Sequence, residues 1–300
     1  MQILVSGGTG FVGSYLCKEL AGRGHSVTAI ARNPPDEPQP SSITVVQADI
    51  TNYDDLPEVI DGQDVVINLV SLSPLYHPKG GSRAHEAVTV SGTRNLVRAM
   101  EETGVERFIQ MSALGADPDG PTAYIRAKGR ADGIIRSSDL DWTIIQPSVI
   151  FGKGDEFIGF IKRVTTPGIT VLPGADSAKF QPIWVHDLVP LIADIVTEDK
   201  HDYATLELGG PRVYTLREVT QLIYQQNPLP LTIIPLPVGL ARIGFSLARP
   251  IPFIPFGPDQ ARSLQFENIT QNNAISEFDI DPAALRTLEE YLGIEANAPE

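Results

Sequence analysis

Residues 1–32 read MQILVSGGTGFVGSYLCKELAGRGHSVTAIAR. The apolar run at residues 3–5 predicts a buried parallel strand. A glycine-rich turn, SGGTGFVG at residues 6–13, follows directly, and apolar residues spaced four apart behind it predict a helix packed on the sheet. Residues 27–30 then supply a second strand. This strand–turn–helix–strand order is the setting in which a glycine fingerprint indicates a nucleotide site.

Three glycines of the turn each have a physical reason if the turn holds a dinucleotide. Gly7 suits the positive φ of a tight turn, and Gly10 has no side chain to keep a pyrophosphate from the backbone amides. Gly13 lets the helix approach the strand closely, and the helix N-terminus offers unpaired N–H donors to an anion. A tight strand–helix connection without a ligand is the alternative. The predicted cofactor contacts of the turn are Gly7, Thr9, Gly10, Phe11, Val12 and Gly13.

The composition excludes several classes of protein. The chain has 300 residues, 42% of them hydrophobic, and a formal net charge of −14, which argues against a nucleic-acid partner. Cys17 is the only cysteine, so neither an intrachain disulfide nor a cysteine-based metal cluster can form, and no metal site is predicted. No leader and no apolar run of transmembrane length is apparent, so we expect a cytoplasmic protein without a transmembrane segment.

Short apolar segments alternate with helical patterns along the first half of the chain. The predicted strands cover residues 44–49, 64–70, 107–112 and 142–147, and a long helix covers residues 84–103. This alternation predicts an α/β fold: a Rossmann-type doubly wound parallel sheet with a smaller C-terminal substrate domain. We expect the dinucleotide-binding domain at 1–152, with 181–211 returning to it. The smaller substrate or partner domain then comprises 153–180, which reads as irregular, and 212–300.

The end of the second strand indicates which dinucleotide is preferred. Folds that prefer NAD(H) carry an acidic residue there, which holds the ribose 2′-hydroxyl. Here the position is occupied by Ala31 and Arg32, and an arginine can bind a 2′-phosphate with two hydrogen bonds. A surface arginine without a ligand is the alternative. We therefore expect NADP(H) to be preferred, with NAD(H) as the other cofactor to consider.

The segment MSALGADPDGPTAYIRAKG, residues 111–129, carries the candidate chemistry. Tyr124 and Lys128 lie four residues apart on a predicted helix and therefore share a face. A neighbouring ammonium favours the anionic form of a phenol, so Tyr124 is a candidate for proton exchange with a carbonyl or alcohol. Ser112, at the end of a predicted strand, is placed to hydrogen-bond the same substrate oxygen. The predicted catalytic residues are Ser112, Tyr124 and Lys128.

Several of these segments together resemble the atypical and extended short-chain dehydrogenases/reductases. They are SGGTGFVG, MSALGADPDGPTAYIRAKG, QPSVIFG and LELGGPRVYTLREV, with a looser C-terminal pattern. The likeness is to the branch that includes the nucleotide-binding accessory subunit of respiratory complex I and its bacterial relatives. It implies that Asp49 contacts the adenine, although a helix cap is the alternative, and that Lys128 contacts the nicotinamide ribose. It also implies cofactor contacts at Ile50, Leu69, Val70, Ser71 and Pro147.

Two functions of different class follow from the resemblance. The first is an NADP(H)-dependent oxidoreductase acting on an unknown small-molecule substrate, with epimerase or dehydratase chemistry known among relatives. The second is a non-catalytic NADPH-binding structural, assembly or sensor protein. Thr89 favours the second, because many relatives carry at this position an asparagine that holds a proton-relay water. The apolar, proline-rich residues 228–258 favour it too, as a hydrophobic lid or a surface for a protein or peripheral membrane partner, and a core helix of the substrate domain is the alternative.

Overall fold

The computed structural model describes residues 1–34, 40–76, 78–198, 201–236 and 267–294. These residues divide into two compact units. The first comprises the described residues of Met1–Ser73, Pro78–Pro147 and Val185–Glu207, and the second comprises the remainder. Most of the apolar stretch 228–258 lies outside the described residues.

The elements follow one another in the alternating order expected of an α/β fold. The strands of the described residues are β1 (Gln2–Ser6), β2 (Ser26–Ala31), β3 (Ile43–Gln47), β4 (Val65–Asn68), β5 (Arg107–Met111), β6 (Asp141–Pro147), β7 (Ile150–Phe151), β8 (Gly168–Pro173), β9 (Lys179–Phe180), β10 (Ile183–Trp184), β11 (Ala204–Leu208), β12 (Tyr214–Thr215) and β13 (Leu231–Leu236). The helices are α1 (Phe11–Gly22), α2 (Pro57–Ile60), α3 (Ser82–His85), α4 (Gly92–Thr103), α5 (Ala123–Arg136), α6 (Phe157–Val164), α7 (Val185–Thr197), α8 (Leu216–Tyr224) and α9 (Leu288–Leu292).

A seven-stranded sheet with the strand order β3-β2-β1-β4-β5-β6-β11 forms the centre of the first unit. The pairs from β3 to β6 are all parallel. The direction of winding reverses between β1 and β4, and ligands of doubly wound folds bind at the carboxyl ends of such a strand pair. The predicted fold class is therefore confirmed, and the glycine turn after β1 lies at this switch point.

The core of the first unit lies between this sheet and its helices. Leu4 of β1, Val66 of β4 and Phe108 of β5 are fully buried and pack in one cluster with Leu96 and Met100 of α4. Both faces of the central strands are covered, which explains why these strands read as continuous apolar runs instead of alternating ones.

The predicted helix over residues 84–103 is present but is not a regular α-helix throughout. It starts as α3, continues as a π-helical segment over Glu86–Ser91, and ends as α4. Gly104 ends α4 with a φ of 74°. π-Helical segments are uncommon and often occur at functional sites. The π-helical segment Glu86–Ser91 packs against α5, which carries the predicted catalytic residues.

The second unit contains more regular structure than its sequence predicts. Residues 153–180 form α6, β8 and β9, so the expectation of an irregular excursion is wrong. Phe157, Ile158 and Ile161 of α6 are buried in the core of this unit, which explains why the helix forms. The return to the first unit runs from Val185 to Glu207, within the expected 181–211, because Ile183 and Trp184 pair with β7 of the second unit.

Two parallel strands of the second unit leave one face uncovered by the described residues. Strand β13 pairs with β8 such that Ile234 lies opposite Val171 and Thr232 opposite Ile169. Ile169, Val171 and Ile234 are 68%, 54% and 46% exposed. These three residues are called the β8–β13 face below. Within the described ranges, no helix combines the length and the apolar character that crossing a membrane requires.

Candidate nucleotide and catalytic site

The backbone of the glycine turn has the geometry of an anion cradle. Gly7 has a φ of +78°, and the Gly10 amide donates to the Gly7 carbonyl over 3.0 Å. A Cβ atom on Gly13 would overlap the Gly7 carbonyl oxygen and lie 2.7 Å from the Gly8 Cα, so only glycine allows this approach. Thr9 and Gly10 are exposed, and the N-terminus of α1 has no side-chain cap. The first amides of α1 are therefore available to a phosphate group.

The two remaining residues predicted in this turn have different surroundings. Phe11 is partly exposed, and its ring packs edge-to-face on Tyr15 with centroids 5.9 Å apart. Val12 is 7% exposed and faces the core. Val12 would therefore contact a ligand through its backbone, whereas Phe11 could also contact it through its side chain.

Arg32 and Asp49 follow β2 and β3 at the carboxyl edge of the sheet. The Arg32 side chain is exposed and, among the described residues, has no hydrogen-bond or ion-pair partner. Asp49 Oδ1 accepts from the amide and the hydroxyl of Thr51 at 2.9 and 2.8 Å, so it closes a local turn and does not cap the following helical turn. Ile50 is buried, and its carbonyl accepts from Asn95 Nδ2 at 2.9 Å.

A buried polar network ties the strand ends at the switch point together. Asn68 Oδ1 accepts from the Ser6 hydroxyl at 2.7 Å and from the Val70 amide at 3.1 Å. Its Nδ2 donates to Gln110 Oε1 at 2.9 Å. Asn68, Ser6 and Gln110 are each at most 1% exposed. The sequence shows that Asn68 needs a partner, but only the topology shows that the partners come from β1 and β5.

Residues after β4 connect the glycine turn to the predicted catalytic tyrosine. Leu69 donates its amide to the Ser6 carbonyl at 3.0 Å. The Val70 side chain lies beside Gly7, within 3.3 Å of where a Cβ atom would be. Ser71 hydrogen-bonds Tyr124. The ends of β1 and β4 and the start of α5 thus meet at one edge of the sheet.

The residues Ser112, Tyr124 and Lys128 lie around the carboxyl end of β5. Helix α5 begins after the Thr122 cap, and the Lys128 amine lies 6.0 Å from the centre of the Tyr124 ring. Lys128 is 1% exposed and donates to the Met111 carbonyl at 2.7 Å. Pro147, at the end of β6, accepts from the Leu114 amide at 3.1 Å, which holds the loop after β5 against β6.

Burial dominates the electrostatics of the tyrosine and the lysine. It raises the pKa of Tyr124 to about 12, a shift that Asp132 increases and the hydrogen bond with Ser71 opposes. Burial also lowers the pKa of Lys128 to about 8, while the charge of Asp132 opposes that shift. The expected lowering of the phenol pKa by the ammonium is therefore wrong for this structure. Tyr124 is a protonated phenol at neutral pH, which suits a proton donor.

The sequence analysis overlooked a fourth polar residue of this face, Asp132. Its Oδ2 accepts from Ser112 Oγ at 2.9 Å and from Gln146 Nε2 at 3.0 Å. It lies one helical turn beyond Lys128, so the spacing of four residues in Tyr124, Lys128 and Asp132 is a signal that could have revealed it. Because the Ser112 hydrogen is directed at Asp132, the Ser112 oxygen offers lone pairs to a ligand.

Thr89 is the residue at which the sequence departs from the family pattern. It lies in the π-helical segment, is 2% exposed, and its hydroxyl oxygen has no hydrogen-bond partner among the described residues. The neighbouring His85 packs edge-to-face on the Tyr124 ring with centroids 5.9 Å apart. Helix α3 therefore contributes an aromatic contact to Tyr124, and the π-helical segment after it carries a buried hydroxyl.

Comparisons with known proteins identify a domain that binds a nicotinamide dinucleotide. A family model described as NAD(P)H-binding matches residues 7–167. The chain is 29% identical over 301 residues to the mitochondrial NADH dehydrogenase [ubiquinone] 1 alpha subcomplex subunit 9 of Arabidopsis thaliana, a match covering 92% of this chain and 73% of that protein. It is 29% identical over 217 residues to the 3-beta-hydroxysteroid dehydrogenase of Mycolicibacterium neoaurum, covering 63% of this chain and only 58% of that protein.

A solved structure has the same fold along nearly the whole chain. It is a nucleoside-diphosphate-sugar epimerase from Staphylococcus aureus, with a TM-score of 0.75, 17% identity, and coverage of 97% of this chain and 99% of that one. The glycine turn, the strand order and the family match over more than half of the residues lead to one assignment. The chain belongs to the NAD(P)H-binding family, within the atypical short-chain dehydrogenase/reductase superfamily.

Proposed function

We propose that this chain is an NADP(H)-dependent oxidoreductase that acts on a small carbonyl compound or alcohol. The observation that carries the proposal is the shared face of α5, on which Tyr124 and Lys128 lie one turn apart beside Ser112. The hydrogen bond between Tyr124 and Ser71 supports it, because it links this face to the strand end nearest the glycine turn. The name of the mycobacterial relative, a hydroxysteroid dehydrogenase, is in keeping with chemistry at an alcohol.

The residues of the chain have separable roles in this proposal. The glycine turn with its helix N-terminus would hold the pyrophosphate, and Lys128 the nicotinamide ribose. When bound, the dinucleotide supplies or accepts a hydride. The Tyr124 phenol, protonated because burial raises its pKa, donates a proton to the carbonyl oxygen of the substrate. Ser112 accepts a hydrogen bond from a hydroxyl group of the ligand.

Removal of the Tyr124 hydroxyl tests the catalytic proposal. Tyr124→Phe keeps the ring and should still bind NADPH, while the rate of NADPH oxidation with a panel of small carbonyls falls by roughly 10²–10⁴-fold. Tyr203→Phe is the control, since Tyr203 is 58% exposed and contacts Asp141 and Trp142 away from α5. A wild-type protein that turns over a substrate while Tyr124→Phe keeps full activity would overturn the proposed mechanism.

The preference for NADP(H) is the second part of the proposal. Arg32 supports it, because its guanidinium is exposed at the end of β2 and is not engaged by another described residue. Asp49, the nearby carboxylate, is engaged by Thr51. A charge-assisted contact with a 2′-phosphate is worth about 1.5–3 kcal/mol.

Calorimetric titrations with NADPH and NADH test this preference. We expect wild type to bind NADPH more tightly, and Arg32→Ala to lose that difference while its affinity for NADH is unchanged. Arg98→Ala is the matched control, because Arg98 is paired with Glu102 on the outer side of α4. Equal affinity of wild type for both nucleotides would show that the assignment of Arg32 is wrong.

A non-catalytic NADPH-binding protein of the complex I accessory-subunit type is the second candidate. It is favoured by the likeness to the Arabidopsis subunit over 92% of this chain and by Thr89. The exposed β8–β13 face favours it as well, and so does the apolar composition of residues 228–258, as a surface for a protein or membrane partner. In this case the purified protein retains NADPH in native mass spectrometry and oxidises it with no carbonyl of the panel. Flotation with liposomes then distinguishes a membrane from a protein partner.

A further inference from the structure

The Asp132 carboxylate is buried where a charge is costly. It is fully buried on the inner face of α5, and Oδ1 has no hydrogen-bond partner within the described ranges. Oδ2 alone accepts the hydrogen bonds of Ser112 and Gln146. Burial raises the pKa of Asp132, whereas these two hydrogen bonds and the charges of Lys128 and Arg136 oppose that rise. A leucine or alanine at this position would avoid the free-energy penalty of burying a charge. We therefore looked for an interaction that depends on the carboxylate.

The neighbouring Lys128 provides that interaction. Lys128 is nearly as deeply buried as Asp132, and the Met111 carbonyl is the acceptor that its amine contacts. A buried amine tends to lose its proton, and the pKa of Lys128 is already lowered to about 8. Asp132 is the charged group that opposes this shift. Charges interact more strongly in a protein interior than in water, so the loss of this carboxylate would leave Lys128 largely neutral at physiological pH.

Few other titratable groups adjoin this pair. From α5 itself they are Tyr124, whose raised pKa keeps it neutral, and Arg136. His85, at the end of α3, lies against the Tyr124 ring. Glu86, at the start of the π-helical segment, is paired at the surface with Arg130. Among the described residues, β5 with the residue after it and β6 contribute the neutral partners Met111, Ser112 and Gln146.

We propose that Asp132 is a positioning residue of the site, which keeps the Lys128 amine charged and fixes the direction of the Ser112 hydroxyl. A charged Lys128 can then donate to the nucleotide, and an oriented Ser112 can accept from the substrate. The inference deepens the proposed function and rests on it wherever it concerns the nucleotide or the substrate. The coupling between Asp132 and Lys128 is a property of the chain alone, so it can be measured without any ligand.

Asp132→Asn isolates the charge, because an asparagine keeps the volume and an acceptor for Ser112 and Gln146. The ligand-free measurement is the free energy of unfolding in urea from pH 5 to 10. Because the pKa of Lys128 is lowered on folding, this group binds more protons in the unfolded state above pH 8, and its contribution to wild-type stability rises with pH there. In Asp132→Asn this rise should begin at least one pH unit lower. Ser112→Ala, which keeps both charges, is the control and should retain the wild-type onset.

The same variant can be examined with NADPH as the probe. Its dissociation constant at pH 8 should be about tenfold higher in Asp132→Asn than in wild type and should return to the wild-type value at pH 6. If the unfolding profile shifts but NADPH does not bind to wild type, the proposed function fails while the coupling stands. An Asp132→Asn profile that rises at the wild-type pH overturns the inference.

Lys128→Met tests the same coupling by removing the ammonium instead of the carboxylate. It replaces Asp132→Asn as the test if that variant does not fold. Loss of the ammonium raises the pKa of Asp132, since Lys128 is one of the groups that lower it. A raised pKa means that the native state binds more protons, so stability falls as the pH rises through that value. In Lys128→Met this fall should therefore continue to a higher pH than in wild type and end at least one unit above it. Identical profiles below pH 7 would overturn the inference.

Discussion

Replacement of Gly13 by alanine is the sharpest test of the glycine turn. The added Cβ atom would lie 2.7 Å from the Gly8 Cα, about 0.7 Å short of the 3.4 Å at which ordinary contact begins, and would overlap the Gly7 carbonyl oxygen. These are backbone atoms, which cannot rotate away. The cost of overpacking is therefore at the upper end of its usual range, about 3 kcal/mol. Alanine has a more favourable helix propensity than glycine by about 1 kcal/mol, so the net loss of stability is about 2 kcal/mol.

Gly22→Ala is the matched control, because Gly22 belongs to the same helix and a Cβ atom there meets nothing within 4 Å. Urea unfolding should show Gly13→Ala less stable than wild type and Gly22→Ala equal to or more stable than it. Displacement of the turn should also raise the dissociation constant of NADPH at least tenfold in Gly13→Ala only. If Gly13→Ala is as stable as Gly22→Ala and binds NADPH like wild type, the close approach of α1 to the turn is not what requires glycine.

Three further outcomes follow from buried groups and caps. Asn68→Leu keeps the branching and the number of heavy atoms but removes the hydrogen-bond partner of buried Ser6 and Gln110. It should cost about 3 kcal/mol in urea unfolding, and full stability would mean that the network is dispensable. Cys17 is 3% exposed and burial raises its pKa to about 12, so iodoacetamide at pH 8 should label it only in urea. Thr215→Ala breaks the capping box of α8 and should cost about 1 kcal/mol, and Thr215→Ser should restore most of it.

The features that could be predicted from the sequence are those that depend on neighbouring residues. One continuous segment contains the strand before Gly7, the turn and the amphipathic helix after it. The spacing of its apolar residues and the residue types of the turn are therefore sufficient to predict these elements. The same holds for Thr215, whose capping box with Glu218 is local. The π-helical segment could not be predicted, because one additional residue per turn does not change the apolar pattern enough to distinguish it from an α-helix.

The features that escaped prediction depend on distant residues or on burial. Strands β8 and β13 pair across more than fifty intervening residues, and neither carries a signal for its partner. Asp132 reads as a solvent-facing charge until the end of β5 and Gln146 are known to enclose it. The pKa of Tyr124 likewise depends on burial, which a spacing of four residues from Lys128 does not reveal.

The interrupted path of the first unit has a consequence for how the protein is made. Strand β11, which borders β6 in the sheet, and helix α7, whose Asp194 pairs with Arg23 of α1 at 2.5 Å, are synthesised after Ser148–Trp184 of the second unit. At a translation rate of about 5–20 residues per second, roughly 3–12 s pass between the synthesis of β6 and that of β11, and one edge of β6 is unpaired during this time. During that interval the nascent chain presents an unpaired strand edge, the surface at which polypeptides aggregate. A protein truncated after residue 152 would lack β11, so this edge of β6 would stay unpaired.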